Sequence, residues 1–378
     1  MNVDFIDKLI NISLDHLSES INDDQLFFNR LKENNQVISR VDSSTRYSII
    51  SLIGLYQARN FGYTVEMNLE YLTSRIVSRL KKISLPDLGL LLWLAAVAVD
   101  DNLARIVYDE LDRRLTKKSI RSLMTVSAAW ILTGLSKSYA LINEEAGVEQ
   151  LLKSLSVKVL QAFNKNTGLF ASFNGRKFNF IAGTIYSEIG CFADQAYSIL
   201  ALSEYVRIFD DSLIKTIIDQ ATSRNISLQG NHGDWPWIFD VEKGTVLEKY
   251  PIYSVHQSAM APMALRAAEK ALTKDFSGTI HKSLDWFNKV DFDDNGFIDE
   301  NQNIIWRSIK KRGRNKSIFD FLGLNYGGLT ACDKRRIFGK IILNRKSPKN
   351  EAIMQKLIVD YESRPYHYGW ILYTFCTA

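Results

Sequence analysis

Six segments of this chain are apolar around most of their circumference, and that feature leaves few architectures open. They are SSTRYSIISLIGLYQA (43–58), LPDLGLLLWLAAVAV (85–99), LMTVSAAWILTGLSKSYA (123–140), SEIGCFADQAYSILALSEYV (187–206), YSVHQSAMAPMALRAAEKA (253–271) and RPYHYGWILYTF (364–375). Apolar residues recur in each at helical spacing, while strand signals are nearly absent from the whole chain. A helix that is apolar all round must be surrounded by protein. Between these segments run one-sided amphipathic stretches at 66–82, 101–115, 146–163, 211–227 and 273–289. One-sided helices cover buried ones. The alternation therefore predicts an all-α fold, an α/α toroid of about six helical hairpins with inner and outer rings. Residues 1–40 are expected to add helices on the outside, and 300–350 a lid-like insertion, within a single domain spanning 1–378.

The totals agree with one large core. Hydrophobic residues make up 46% of the chain, and only 6 prolines interrupt it. A net charge of +5 is too small to argue for nucleic acid. The one basic cluster, KKRGRNK (310–316), reads as a solvated loop or a contact surface. Cys191, Cys332 and Cys376 match no metal spacing and read as reduced thiols. The N-terminus lacks the basic start and apolar block of a signal peptide. The longest apolar run, 88–99, is too short to span a bilayer. These readings predict a cytoplasmic protein with no membrane span, no metal and no cofactor.

Three of the junctions between outer and inner helices repeat. NKNTGLF (164–170), GNHGDWPW (230–237) and DDNGFI (293–298) place a glycine at the turn and an aromatic just after it. The pairs are Gly168 with Phe170, Gly233 with Trp235, and Gly296 with Phe297. The glycines lie 65 and 63 residues apart, which marks one supersecondary unit reused. Gln229, Gly233 and Trp235 stand in a Q-x-x-x-G-x-W spacing. That spacing resembles the repeat of terpenoid cyclases and protein prenyltransferases, which are α/α toroids. CFADQAYSILAL and YSVHQSAMAPMAL resemble inner helices of bacterial toroid proteins of the polysaccharide type. The architecture is similar to that of six-hairpin glycosidases, unsaturated-uronyl hydrolases, and toroid lyases and epimerases. The likeness covers about 40–378 and implies the fold, because a shared fold does not carry a shared reaction.

In such a toroid the inner helices run the same way, so their N-terminal ends line one rim. That rim carries free N–H groups and partial positive charge, which suits anionic or hydroxyl-rich ligands. The polar residues of the apolar segments concentrate there. Arg46 and Tyr47 open the first; Asp194 and Gln195 lie early in the fourth; Tyr253, His256 and Gln257 open the fifth; Arg364, Tyr366 and His367 open the sixth. Each has a plain structural alternative: bracing a neighbouring helix for Asp194 and Gln195, a carbonyl-bonded core histidine for His256, anchoring the C-terminus for Arg364. In the junction 229–240, Gln229, Gly233 and Trp235 suffice for the turn. Trp237 and Asp240 exceed what a turn needs, and Asp234 is divided between capping and chemistry. Paired indoles with carboxylates are the usual walls of a sugar site.

The expected function follows from those groups: action on an acidic glycan or glycosyl precursor, by elimination or by hydrolysis. Arg364 and Arg46 would hold a uronate, and Trp235 and Trp237 would stack on sugar rings, with Tyr47, Gln195, Asp240, Gln257, Tyr366 and His367 also binding. Elimination would use Tyr253 or His256 as the base. Hydrolysis would use Asp194 and Asp234 as the carboxylate pair. Trp306, Arg307, Asn325 and Tyr326 are lid candidates. The acidic stretch 291–302 spells both the first nine positions of a calcium loop and a D-x-D-D motif like that of class II terpene cyclases. Position twelve is Gln302 where calcium requires a bidentate Glu, and the motif coincides with a repeat turn, so a hydrated turn is expected. Two rivals stand beside the glycan reading: a terpenoid-cyclase-like enzyme with Asp293 or Asp294 aimed into an apolar cavity, and a toroid that binds a glycan or protein without catalysis.

Overall fold

Helix forms wherever the sequence is apolar at helical spacing, and side-chain caps set where it starts. The computed structural model describes residues 3–34, 37–174, 186–289, 296–311 and 357–377. The six inner helices are Thr45–Asn60, Leu85–Ala98, Thr125–Ile142, Phe192–Phe209, His256–Leu272 and Pro365–Phe375. The Ser44 hydroxyl accepts from the Tyr47 N–H, and Ser84 caps the second helix with Pro86 in its first turn. Val99, in the left-handed region at φ 54°, ends that helix.

Each inner helix packs on the next, and the sixth packs on the first, so the ring closes. Closure is tight. A Cβ on Gly54 would lie 2.2 Å from the Gly369 carbonyl oxygen, and one on Gly134 would lie 1.9 Å from that of Gly89. Only glycine permits backbones this close. Trp93, Trp370 and Leu90 are fully buried in the ring. The outer ring is Leu69–Val77, Asp101–Arg114, Val148–Leu160, Ser212–Leu228 and Ser277–Lys289. The N-terminal helix, Val3–Ser18, supplies the sixth outer partner by packing on the last inner helix. His16 stacks on Tyr368 there, with ring centroids 4.0 Å apart.

Two features depart from expectation. The fifth inner helix is not uniform: His256–Met260 is wound as a π-helix before the α-helical Ala261–Leu272. Pro262 cannot donate to a carbonyl one turn back, and the wider winding before it relieves its ring's clash. Strand also appears, in five small sheets among the described residues. Instead of further N-terminal helices, Phe28–Asn34 and Val37–Ser43 form a hairpin whose first strand also pairs with Glu362–Ser363. Ile189–Cys191 joins Ile238–Asp240 and Thr245–Glu248. Ile252–Tyr253 joins Ser308–Lys311, which pairs with Leu357–Asp360. Most of these strands are too short for a period-two pattern to emerge from sequence, and the two seven-residue strands, FNRLKEN and VISRVDS, do not alternate apolar with polar; all sit where the chain passes from an outer to an inner helix.

Candidate active site

The N-terminal rim brings together side chains from five inner helices. Tyr47, in the first, lies 4.7 Å centroid to centroid from Tyr366 in the sixth. Its hydroxyl accepts a 2.6 Å bond from the Arg364 guanidinium. In the strand leading to the fifth helix, Tyr253 meets Trp237 edge-on at 5.4 Å and His256 at 5.1 Å. The Arg307 guanidinium carbon is 5.2 Å from the centre of the Tyr253 ring. On the other side Arg46 lies over Trp130 at 5.0 Å, and Trp130 meets Tyr197 edge-on at 5.3 Å. The result is an aromatic rim carrying three guanidinium groups.

Charge in the rim is tightly organised around one carboxylate. Glu362 is buried, and its Oε1 accepts from Arg307 at 2.9 Å and Arg364 at 2.5 Å, while Arg30 lies 3.8 Å from Oε2. Burial alone would raise the Glu362 pKa, but Arg307 and Arg364 outweigh it and hold the group below the usual carboxylate range. Asp87 is likewise taken, by Arg46 at 2.5 Å and by the Ser84 hydroxyl at 2.6 Å.

His256 is the exception to this pairing. It is buried against Phe192, 4.7 Å away, and its Nδ1 has no hydrogen-bond partner among the described residues. Burial, aided by the Arg307 charge, lowers its pKa to about 3, so the imidazole is neutral. Burial raises the Tyr253 pKa against the opposing pull of Arg307, so the phenol is protonated at neutral pH. A neutral imidazole, a protonated phenol and a guanidinium thus lie side by side, groups whose chemistry can accept a proton, give one and attract an anion.

Several sequence-derived candidates lie elsewhere, and their bonds explain why. Asp194 accepts from the Cys191 N–H at 2.8 Å and from the Ser172 hydroxyl at 2.6 Å, as a helix-start carboxylate does. Asp234 pairs across to Lys249, which follows the strand Thr245–Glu248, at 2.9 Å. Both members of the expected carboxylate pair therefore carry internal bonds, Asp194 at its helix start and Asp234 to a lysine. Gln195 brackets the Phe170 backbone, accepting from its N–H at 2.8 Å and donating to its carbonyl at 2.7 Å. Gln257 accepts from the Trp235 N–H at 3.0 Å. The two glutamines thus do the same job in successive repeats, fixing the aromatic that follows the turn glycine. Trp235 donates its indole N–H to Ser283 at 2.9 Å and is core, not a stacking platform. Asp240 closes a hairpin by accepting from the Lys243 N–H at 2.9 Å. His367 lies between Ser258 at 2.7 Å and Ser254 at 3.4 Å, the satisfied core histidine of the alternative reading. Trp306 packs in a small cluster with Leu31, Ile304 and Val359. Asp293, Asp294, Asn325, Tyr326 and Cys332 lie outside the described residues, as do most of the acidic and basic loops.

Sequence reasoning missed Asp87, Trp130, Tyr197 and Glu362. The signal was present for three of them: each sits in the first two turns of an otherwise apolar helix. Glu362 could be suspected only from its place two residues before Arg364.

No family model and no curated relative matches the sequence. Solved structures do resemble the fold. An unsaturated glucuronyl hydrolase specific for heparin superposes with a TM-score of 0.61 at 12% identity, covering 98% of this chain and 96% of that one. A sugar epimerase from a ruminal bacterium gives 0.58 at 9% identity, over 91% and 99%. A possible member of the GH105 family from Klebsiella pneumoniae gives 0.58 at 10% identity, over 100% and 93%. Identity this low speaks for architecture: the chain is an α/α toroid. No helix among the described residues is long and apolar enough to cross a membrane.

Proposed function

We propose that this toroid binds an acidic glycan at the N-terminal rim and cleaves it by β-elimination. The observation that carries the proposal is the neutral His256 beside Tyr253 and Arg307, its Nδ1 without a hydrogen-bond partner among the described residues. A uronate carboxylate would sit against Arg307 and Arg364, with Trp237, Tyr47 and Tyr366 shaping the sugar-binding wall. Neutralising that carboxylate acidifies the proton on the carbon next to it. His256 takes that proton. The electron pair forms the new C=C bond as the glycosidic C–O bond on the adjacent carbon breaks, and Tyr253 gives its proton to the departing oxygen. The bound carboxylate also offsets the Arg307 field at His256, which raises its basicity when substrate is present.

Hydrolysis is the less supported route, because Asp194 and Asp234 are committed to internal bonds. The resemblance to toroids that act on uronyl and other sugars agrees with a glycan substrate without selecting the reaction. The Gln229–Gly233–Trp235 spacing is accounted for by its own turn, where Gln229 donates to the Gly233 carbonyl at 2.8 Å. The test is an activity screen on polygalacturonate, glucuronan and alginate, read as the ultraviolet absorbance of an unsaturated uronate. New reducing ends without that absorbance, or unchanged turnover in both His256→Ala and Tyr253→Phe, would overturn elimination.

A further inference from the structure

A groove leaves the rim between the first and second hairpins, and its chemistry differs from that of the cup. It encloses about 550 Å³, and Arg46 and Tyr47 form the wall it shares with the rim. Arg79, Lys82 and Asn29 line its other side. Asp87, its one carboxylate, is already satisfied by Arg46 and Ser84. Arg79, half-buried, and Lys82, exposed at the groove's edge, in contrast have no anionic partner among the described residues. Unpaired cations facing a cavity lower the free energy of an incoming anion, and a guanidinium suits a planar or tetrahedral oxyanion best.

We infer that this groove is a second anion subsite, in which Arg79 and Lys82 hold the carboxylate or sulfate of the sugar next to the one in the cup. This rests on the acidic-glycan reading and narrows it: the substrate is an oligosaccharide with charges on consecutive residues. The Tyr47–Arg46 wall then separates two charge-reading positions, one against Arg307 and Arg364 and one against Arg79 and Lys82.

The test compares the binding of galacturonate and digalacturonate by calorimetry on the full chain, together with a disaccharide carrying sulfate in place of the second carboxylate. The wild type favours either doubly charged disaccharide over the monosaccharide, and added salt narrows the gap. In Arg79→Gln/Lys82→Gln the ratio of disaccharide to monosaccharide affinity falls roughly tenfold. The charge-preserving Arg79→Lys/Lys82→Arg variant retains most of it. An unchanged ratio in the glutamine variant, with both sugars still bound, overturns the subsite and leaves the glycan reading standing. Failure of every sugar to bind the wild type overturns both. Which disaccharide binds more tightly separates carboxylate from sulfate.

Discussion

Lowering the pH should unfold this protein well before its carboxylates protonate, because three of its histidines are buried neutral. His16 is held down to about 4, chiefly by burial; its Nδ1–H donates to the Asn303 carbonyl at 3.2 Å. His256 and His367 are each held down to about 3, again chiefly by burial. In the unfolded chain all three return to the ordinary histidine value of 6.5. Below that value the unfolded state binds protons that the folded state refuses, so stability falls with pH. At about pH 5 each histidine has lost roughly 1.5 pH units' worth of free energy, or about 2 kcal/mol, and the three together about 6 kcal/mol. That is comparable to the whole stability of an ordinary domain. Asp194 and Glu188, both raised chiefly by burial, work in the opposite direction, but their effect falls mostly at lower pH, where carboxylates titrate. Urea denaturation at several pH values from about 7 to 5 reads the slope directly. His16→Gln and His367→Gln should each remove about a third of it. A midpoint that does not move over this range would refute the reasoning, since no buried neutral histidine could then be present.

Further outcomes follow from other packing and charge relations. Glu362→Gln leaves Arg307, Arg364 and Arg30 without their common counter-charge and should cost about 3 kcal/mol, seen as a lower urea midpoint. Because the folded Glu362 pKa is depressed, that contribution is present above the ordinary carboxylate range and disappears as pH falls through the depressed value. Gly54→Ala drives a methyl into the Gly369 carbonyl and should cost at least about 3 kcal/mol or prevent folding, as read by thermal melting. Asp194→Asn should cost about 1 kcal/mol through its helix-start bonds while glycan turnover persists; His256→Phe should abolish turnover with little loss of thermal stability.

The ring was legible in the sequence because burial on all sides leaves a compositional trace. Leu85–Ala98 has no polar face to orient it, so it had to be enclosed, and it is. The small sheets were not legible. A two-residue strand such as Ile252–Tyr253 has no period to read, and its pairing with Ser308–Ile309 crosses more than 50 residues of chain. The π winding at His256–Met260 had a visible cause in Pro262, yet helical spacing alone passes over it.

The site was legible only as a neighbourhood, and the errors within it share one origin. Placing polar residues at the starting turns of inner helices picked out Tyr47, Tyr253, His256, Arg364 and Tyr366, which the fold brings together at one rim. Residues at the same height can nevertheless face inward or sideways. Gln195 and Gln257 sit at matching heights in successive helices, and both turn toward the repeat aromatic instead of the cup. His256 and His367 were indistinguishable in sequence, each following a tyrosine-bearing start. The serines 254 and 258, one helical turn apart, distinguish them: they satisfy both nitrogens of His367, and among the described residues nothing comparable reaches Nδ1 of His256. Where two polar residues share a register, partners supplied by a neighbouring helix mark one as braced, and that is why the proposal rests on His256, whose ring lies against Phe192 and Tyr253, and not on His367.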